Sequence, residues 1–107
     1  MLLAIDVGNT NISIGIFKSR DLINTWRIST DVSKTTDEYA TLLRQIILAS
    51  GIELSKIKQA CICSVVPPIT ATFELLCKKH LDISPLIVGS GTKTGIKVIY
   101  DRPQDVG

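Results

Sequence analysis

The segment Asp6-Val7-Gly8-Asn9-Thr10-Asn11 gathers one carboxylate, one glycine and three side chains with amide or hydroxyl groups between two apolar runs, Leu2-Leu3-Ala4-Ile5 and the stretch that starts at Ile12. A strand, a tight polar turn and a returning strand would bring all of them to one tip. At such a tip Asp6 can hold Mg²⁺ through its water shell. Gly8 lets the backbone approach an anion without a Cβ, and Asn9, Thr10 and Asn11 can donate hydrogen bonds to phosphate oxygens. The same residue types also make a good turn with no ligand, so the segment alone leaves phosphate binding and ordinary turn chemistry both open.

Periodicity shows which elements must position the tip. Residues 2–8, 12–18 and 21–29 read as consecutive strands, the second with Ile12, Ile14 and Ile16 alternating against Ser13, Gly15 and Phe17. The polar turn Lys18-Ser19-Arg20-Asp21 leads into the third, where Trp26 is assigned a core or interface role. Thr35 and Glu38 stand at capping-box spacing and predict a helix start. Tyr39, Leu42, Leu43, Ile46 and Ile47 supply its apolar face, and Gly51 closes it. Residues 59–66 are apolar enough for a central strand buried on both faces, stopped by Pro67-Pro68. The second proline opens a helix on which Ile69, Phe73, Leu76 and Cys77 share a face up to about His80. Leu86-Ile87-Val88 and Ile96 to Tyr100 complete a β-β-β-α-β-α-β-β order, an α/β fold with a mixed sheet.

Composition excludes several classes. With 107 residues, 45% hydrophobic and 21% charged, the chain is one domain with a genuine core and is not disordered. A net charge of +2 with scattered Lys and Arg indicates no nucleic-acid partner. No run approaches the roughly 20 apolar residues of a membrane helix, and Asp6 interrupts the N-terminal run as no signal peptide would allow, so a cytoplasmic location is expected. Cys61, Cys63 and Cys77 are an odd set without an export signal. They are read as buried structural thiols in preference to a zinc site with His80, which is expected to face the last carbonyls of its helix. The loop Gly89-Ser90-Gly91-Thr92-Lys93-Thr94-Gly95 lacks the glycine before lysine and the following helix of a P-loop. It reads as a flexible connection, with a phosphate contact as the alternative. Three strands before the first helix also exclude a simple dinucleotide fold.

The acidic glycine turn after the first of three antiparallel strands resembles the opening half of the actin, Hsp70 and sugar-kinase superfamily, with its ribonuclease H-like lobe. Within it the chain closely resembles the type III pantothenate kinase family. The matching segments are Ile5 to Asn11, Thr25-Trp26-Arg27-Ile28-Ser29-Thr30, Thr36-Asp37-Glu38-Tyr39, Ser64-Val65-Val66-Pro67-Pro68, Gly91-Thr92-Lys93-Thr94-Gly95 and Tyr100-Asp101-Arg102-Pro103. The resemblance implies ATP-dependent phosphorylation of pantothenate to 4′-phosphopantothenate, the first step of coenzyme A synthesis, with Mg²⁺ and a monovalent cation such as K⁺ or NH4⁺. It assigns Asp6, Val7, Gly8, Asn9, Thr10, Asn11, Ile12 and Ser13 to the nucleotide-phosphate loop, Asp6 to the metal, and Tyr100 and Gly107 to the pantothenate site. Gly107 would open the family's Gly-x-Asp-Arg motif, whose aspartate is taken as the base. Residues 1–107 then represent the N-terminal lobe of an actin-like kinase, with the second lobe and the base absent from the chain, which is expected to be inactive alone. Asp101 and Asp105 are read as turn residues near Pro103, not as that base. The family resemblance further implies a homodimer, for which the helix carrying Phe73, Leu75 and Leu76 is a candidate contact. Two rival readings remain, a regulatory nucleotide-binding module and another actin-like ATPase or sugar kinase.

Overall fold

The computed structural model describes residues 1–88. Three strands, β1 (Leu2–Val7), β2 (Asn11–Lys18) and β3 (Asp21–Ser29), form an antiparallel meander. Helix α1 (Thr36–Ala49), a single 3-10 turn at Leu54–Lys56 and β4 (Gln59–Ser64) follow. Helix α2 (Pro67–His80) and β5 (Leu86–Val88) complete the described elements. The sheet runs β3-β2-β1-β4-β5, with β4 parallel to β1 and β5 parallel to β4. The strand predicted from Ile96 to Tyr100 lies outside the described residues, as do the 89–95 loop, Tyr100, Asp101, Asp105 and Gly107.

Alternation along the strands sorts the sheet into two faces. Leu3, Ile5 and Val7 of β1 and Ile12, Ile14 and Ile16 of β2 join Tyr39, Leu43 and Ile47 of α1 and Ile69, Phe73, Leu76 and Cys77 of α2 in the main core. Trp26 and Ile28 of β3 pack at its margin, so the only tryptophan has the core role expected of it. Burying a side chain such as Ile5 or Leu43 contributes about 1.5–3 kcal/mol, which makes this face the main source of stability. On the opposite face Leu2, Ala4, Phe17 and Cys61 form a smaller cluster, with Val88 against it. Every residue of β4 from Ala60 to Ser64 is buried, as a central strand covered on both faces requires.

The helix signals operate as read. The Thr35 hydroxyl accepts from the Glu38 amide at 3.2 Å while the Glu38 carboxylate accepts from the Thr35 amide at 2.9 Å, a complete capping box. Gly51 follows the C-cap with φ +81°, a conformation that costs a residue with a Cβ about 1–2 kcal/mol. Some boundaries differ from the sequence reading. β4 ends at Ser64 instead of residue 66, because the Ser64 hydroxyl accepts from the Val66 amide (3.0 Å) and donates to the Val66 carbonyl (3.1 Å), turning the chain. α2 therefore starts at Pro67, one residue earlier than expected, and the 3-10 turn at Leu54–Lys56 carries no periodic signal. Among the described residues no helix is long and apolar enough to cross a membrane.

Candidate functional site

β1 and β4 are parallel neighbours whose carboxyl ends meet the β1–β2 turn, the sort of crevice in which α/β sheets place ligands. The turn is short. β1 stops at Val7, β2 begins at Asn11, and the Gly8 amide donates to the Asn11 carbonyl at 2.8 Å. A Cβ on Gly8 would lie 3.2 Å from that same carbonyl oxygen, so the glycine is set by close approach of the two backbones. Asn9, Thr10 and Asn11 are exposed at the tip, and Asn11 Nδ2 donates to Thr10 Oγ1 at 3.2 Å. Among the described residues the backbone amides of Asn9 and Thr10 donate no hydrogen bond, which leaves two N–H groups at the tip for an anion.

Register shows what stands beside the tip. Asp6 pairs with Ser13 on β2 and with Cys63 on β4, Ser13 pairs with Arg27 on β3, and Cys63 pairs with Val88 on β5. Paired residues share a face, so Arg27, Ser13, Asp6, Cys63 and Val88 form one row across the sheet, on the face away from α1 and α2. A groove of about 380 Å³ lies on the other, helix-covered face beside α2 and β5, lined by Ser64, Pro67, Thr70, Ala71, Glu74, Ile87 and Val88. Asp6 is half-buried, and burial raises its carboxyl pKa above the usual carboxylate value. Its carboxylate has no hydrogen bond or ion pair among the described residues. A partly desolvated acid without a donor is unfavourable by itself and becomes favourable when a cation approaches.

A second layer holds the turn from behind. The Thr30 hydroxyl donates to the Gly8 carbonyl at 2.8 Å, and the Thr30 amide donates to the Thr10 carbonyl at 3.0 Å. The adjacent Asp31 is gripped at both backbone groups by one phenol: its amide donates to Tyr39 Oη at 2.8 Å, and Tyr39 Oη donates to its carbonyl at 3.0 Å. The Asp31 side chain closes the loop by accepting from the Ser33 hydroxyl and amide, bonds that hold its pKa below the ordinary value.

Of the eight residues assigned to the phosphate loop, the structure brings Asp6, Asn9, Thr10, Asn11 and Ser13 together as side chains and Gly8 as backbone. Val7 and Ile12 differ: both side chains are fully buried on the helix face, because alternation turns them inward, so only their backbone belongs to the loop. Thr30 and Arg27 were not singled out individually by sequence reasoning. Their signal was the Thr25–Thr30 segment, whose strand register was not fixed until the sheet was seen. Cys61 and Cys63 lie on the face opposite Cys77, and burial pushes the thiols of Cys61 and Cys77 up to about 12 and about 11. Separation by the sheet explains why Cys77 and His80 do not assemble with the other two cysteines. His80 does not face the last carbonyls of α2 as expected. Its Nε2 lies 2.8 Å from Asp37 Oδ1 on α1, and Lys79 Nζ lies 3.0 Å from the same oxygen.

The profile of the type III pantothenate kinase family matches residues 2–107. Type III pantothenate kinases of Geotalea daltonii, Geobacter sulfurreducens and Pelobacter propionicus are 48%, 47% and 46% identical to the chain over all 107 residues. The chain spans 42% of the length of each. Among solved structures, YeaZ from Pseudomonas aeruginosa is similar at TM-score 0.61 and 11% identity, over 95% of this chain and 51% of that one. A candidate N-acetylglucosamine kinase from Porphyromonas gingivalis is similar at TM-score 0.58 and 20% identity, over 82% of this chain and 33% of that one. These two likenesses establish the fold, the actin-like α/β architecture with a mixed sheet.

Proposed function

Because the chain belongs to the type III pantothenate kinase family, we propose that it is the N-terminal lobe of an enzyme that transfers the γ-phosphoryl group of ATP to pantothenate, giving 4′-phosphopantothenate. The observation that carries this reading is the half-buried, unpartnered Asp6 carboxylate beside a tip with two free amides. The tip binds and orients the nucleotide phosphates through the Asn9 and Thr10 amides and the Asn9, Thr10, Asn11 and Ser13 side chains. Arg27, exposed and without an ion pair among the described residues, adds a positive charge on the same side of the sheet.

The site suits Mg²⁺. Among the described residues no group of three His, Cys, Asp or Glu side chains lies close enough to hold a metal, so Asp6 would act as a single carboxylate. That is how Mg²⁺ is commonly held, through one carboxylate together with its own waters and substrate phosphates. The ion supplies neutralisation of charge on the transferring phosphoryl group. Ligands for a monovalent cation, K⁺ or NH4⁺, are proposed outside the described residues. So are the pantothenate contacts of Tyr100 and Gly107 and the base that accepts the substrate's hydroxyl proton.

The reading includes a cytoplasmic homodimer. Phe73 and Leu76 are committed to the core, so α2 could offer its neighbour only exposed residues such as Leu75, 52% accessible. The experiment is a coupled ADP-release assay on the full-length protein with ATP, Mg²⁺ and K⁺, run with pantothenate and with a panel of sugars. Pantothenate-dependent ADP release supports the assignment. ADP release with a sugar alone, or ATP binding without turnover, would replace it with the sugar-kinase or regulatory reading.

A further inference from the structure

We infer that Thr30, held by Tyr39, is the positioning residue that sets the shape of the phosphate-binding tip; this rests on the kinase reading above. The two central residues of the tip carry the free amides, and the conformation of those amides depends on the peptides that flank them. Both flanking carbonyls, Gly8 and Thr10, are held by the same residue: Thr30 reaches one with its hydroxyl (2.8 Å) and the other with its backbone amide (3.0 Å). The Asn11 carbonyl takes the Gly8 amide. Three of the four peptide carbonyls from Gly8 to Asn11 are therefore held, two by Thr30 from behind and one within the tip, and the free amides of Asn9 and Thr10 are left on the outside.

Thr30 is not in a strand or a helix, so its own position has to come from elsewhere. It comes from Tyr39. That phenol sits on the first turns of α1, is fully buried against Phe73 with ring centroids 4.9 Å apart, and bonds both backbone groups of Asp31. A rigid aromatic anchored in the main core thus fixes the residue next to Thr30, and Thr30 fixes the tip. The chain of contacts runs from the α1–α2 interface to the phosphate loop in two hydrogen-bonded steps. Preorganised amides aimed at a phosphoryl group gain their effect by not having to reorganise during transfer. Loosening Thr30 should accordingly slow the transfer step more than it weakens nucleotide binding.

The test compares Thr30→Val, Thr30→Ser and Tyr39→Phe in the full-length protein. Valine keeps the shape but leaves the Gly8 carbonyl without its partner, and serine keeps the hydroxyl. Thr30→Val is expected to lower kcat about tenfold or more with ATP KM changed less than about threefold, and Thr30→Ser to return kcat to within about threefold of the parent. Tyr39→Phe moves kcat in the same direction by a smaller factor. A second readout does not need turnover: in ¹H–¹⁵N spectra the Gly8, Asn9 and Thr10 amides shift in Thr30→Val and recover in Thr30→Ser, with and without a non-hydrolysable ATP analogue and Mg²⁺. Unchanged kcat and unchanged tip amides in Thr30→Val would overturn the inference. Equal losses in the valine and serine variants, tracking their melting temperatures, would also overturn it. If the parent protein turns over no pantothenate, the kinase reading fails by itself, and the amide shifts then decide the role of Thr30 alone.

Discussion

Replacing Asp6 by Asn should separate function from stability, because the carboxylate is worth little to the fold and much to a bound metal. Burial raises the Asp6 pKa, so the folded state prefers the protonated acid. Stability from this group is therefore full below the unfolded pKa of 3.8 and falls as pH rises through the higher folded value. At pH 7.5 the ionised side chain is a cost, and asparagine, similar in size and uncharged, removes it. The melting temperature of Asp6→Asn without metal should equal or exceed that of the parent. The functional loss follows from Coulomb's law. Unit charges about 4 Å apart interact by about 4 kcal/mol at an effective dielectric of 20 and about 1 kcal/mol in water. A half-buried carboxylate lies between these limits, at about 2 kcal/mol per unit of metal charge and roughly 3–4 kcal/mol for a divalent ion. At 1.4 kcal/mol per tenfold this predicts a loss of about 10² to 10³ in turnover. The assay is steady-state ADP release by the full-length protein across a Mg²⁺ titration, paired with thermal melts with and without Mg²⁺ and nucleotide. The parent should gain about 2.7 kcal/mol at one hundred times its dissociation constant for the metal nucleotide, and the variant less at the same concentration. Turnover within about threefold of the parent would refute the metal role. A sharp fall in the metal-free melting temperature would refute the claim that the carboxylate is dispensable to the fold.

Three other expectations follow from the geometry. Gly8→Ala places a Cβ 3.2 Å from the Asn11 carbonyl, so the tip must open by a few tenths of an ångström; titration with an ATP analogue should show weaker binding while the melting temperature falls only slightly. Asp37 has a lowered pKa, first through its hydrogen bond with Lys79 and then with His80, so its contribution is present above 3.8 and is lost as pH falls through the folded value. Urea melts of the parent and Asp37→Asn should accordingly differ at pH 6, and the difference should shrink as pH falls below 3.8. Cys61 and Cys77, with thiols pushed up to about 12 and about 11 by burial, should resist iodoacetamide at pH 8 in the native protein and react on unfolding, as intact mass would report.

Most of the fold was legible because its signals are local. The capping box at Thr35 and Glu38, the Gly51 stop and the alternation of Ile12, Ile14 and Ile16 each act within one element, and each stands where it was read. Legibility failed where the determining contact is distant in sequence. His80 was assigned to its own helix end, yet its partner Asp37 lies 43 residues away on α1. The β1–β2 tip was visible as a run of residue types, but alternation withdrew the Val7 and Ile12 side chains from it and placed Ser13 and Arg27 in the Asp6 row. Thr30 could not be found from its own neighbourhood, since its hydroxyl meets a carbonyl 22 residues away. Tyr100 and Gly107 rest on family resemblance, outside the described residues.

The two faces of the sheet explain how one short strand can serve both the core and the site. In β1, Leu3, Ile5 and Val7 point into the helix-covered core, while Leu2 and Ala4 point the other way and are followed on that side by Asp6. A polar residue at position 5 or 7 would enter the main core and leave an unpaired group in the interior. The same residue at position 6 faces the open row beside Ser13 and Cys63. Placing the acid at the last even position of β1 therefore sets it one residue before the turn and on the solvent-reaching side, without a polar atom entering the main core. The turn can then be shaped from the opposite direction, by Thr30 just beyond β3, so that the Asp6 carboxylate and the group holding the tip do not compete for the same space.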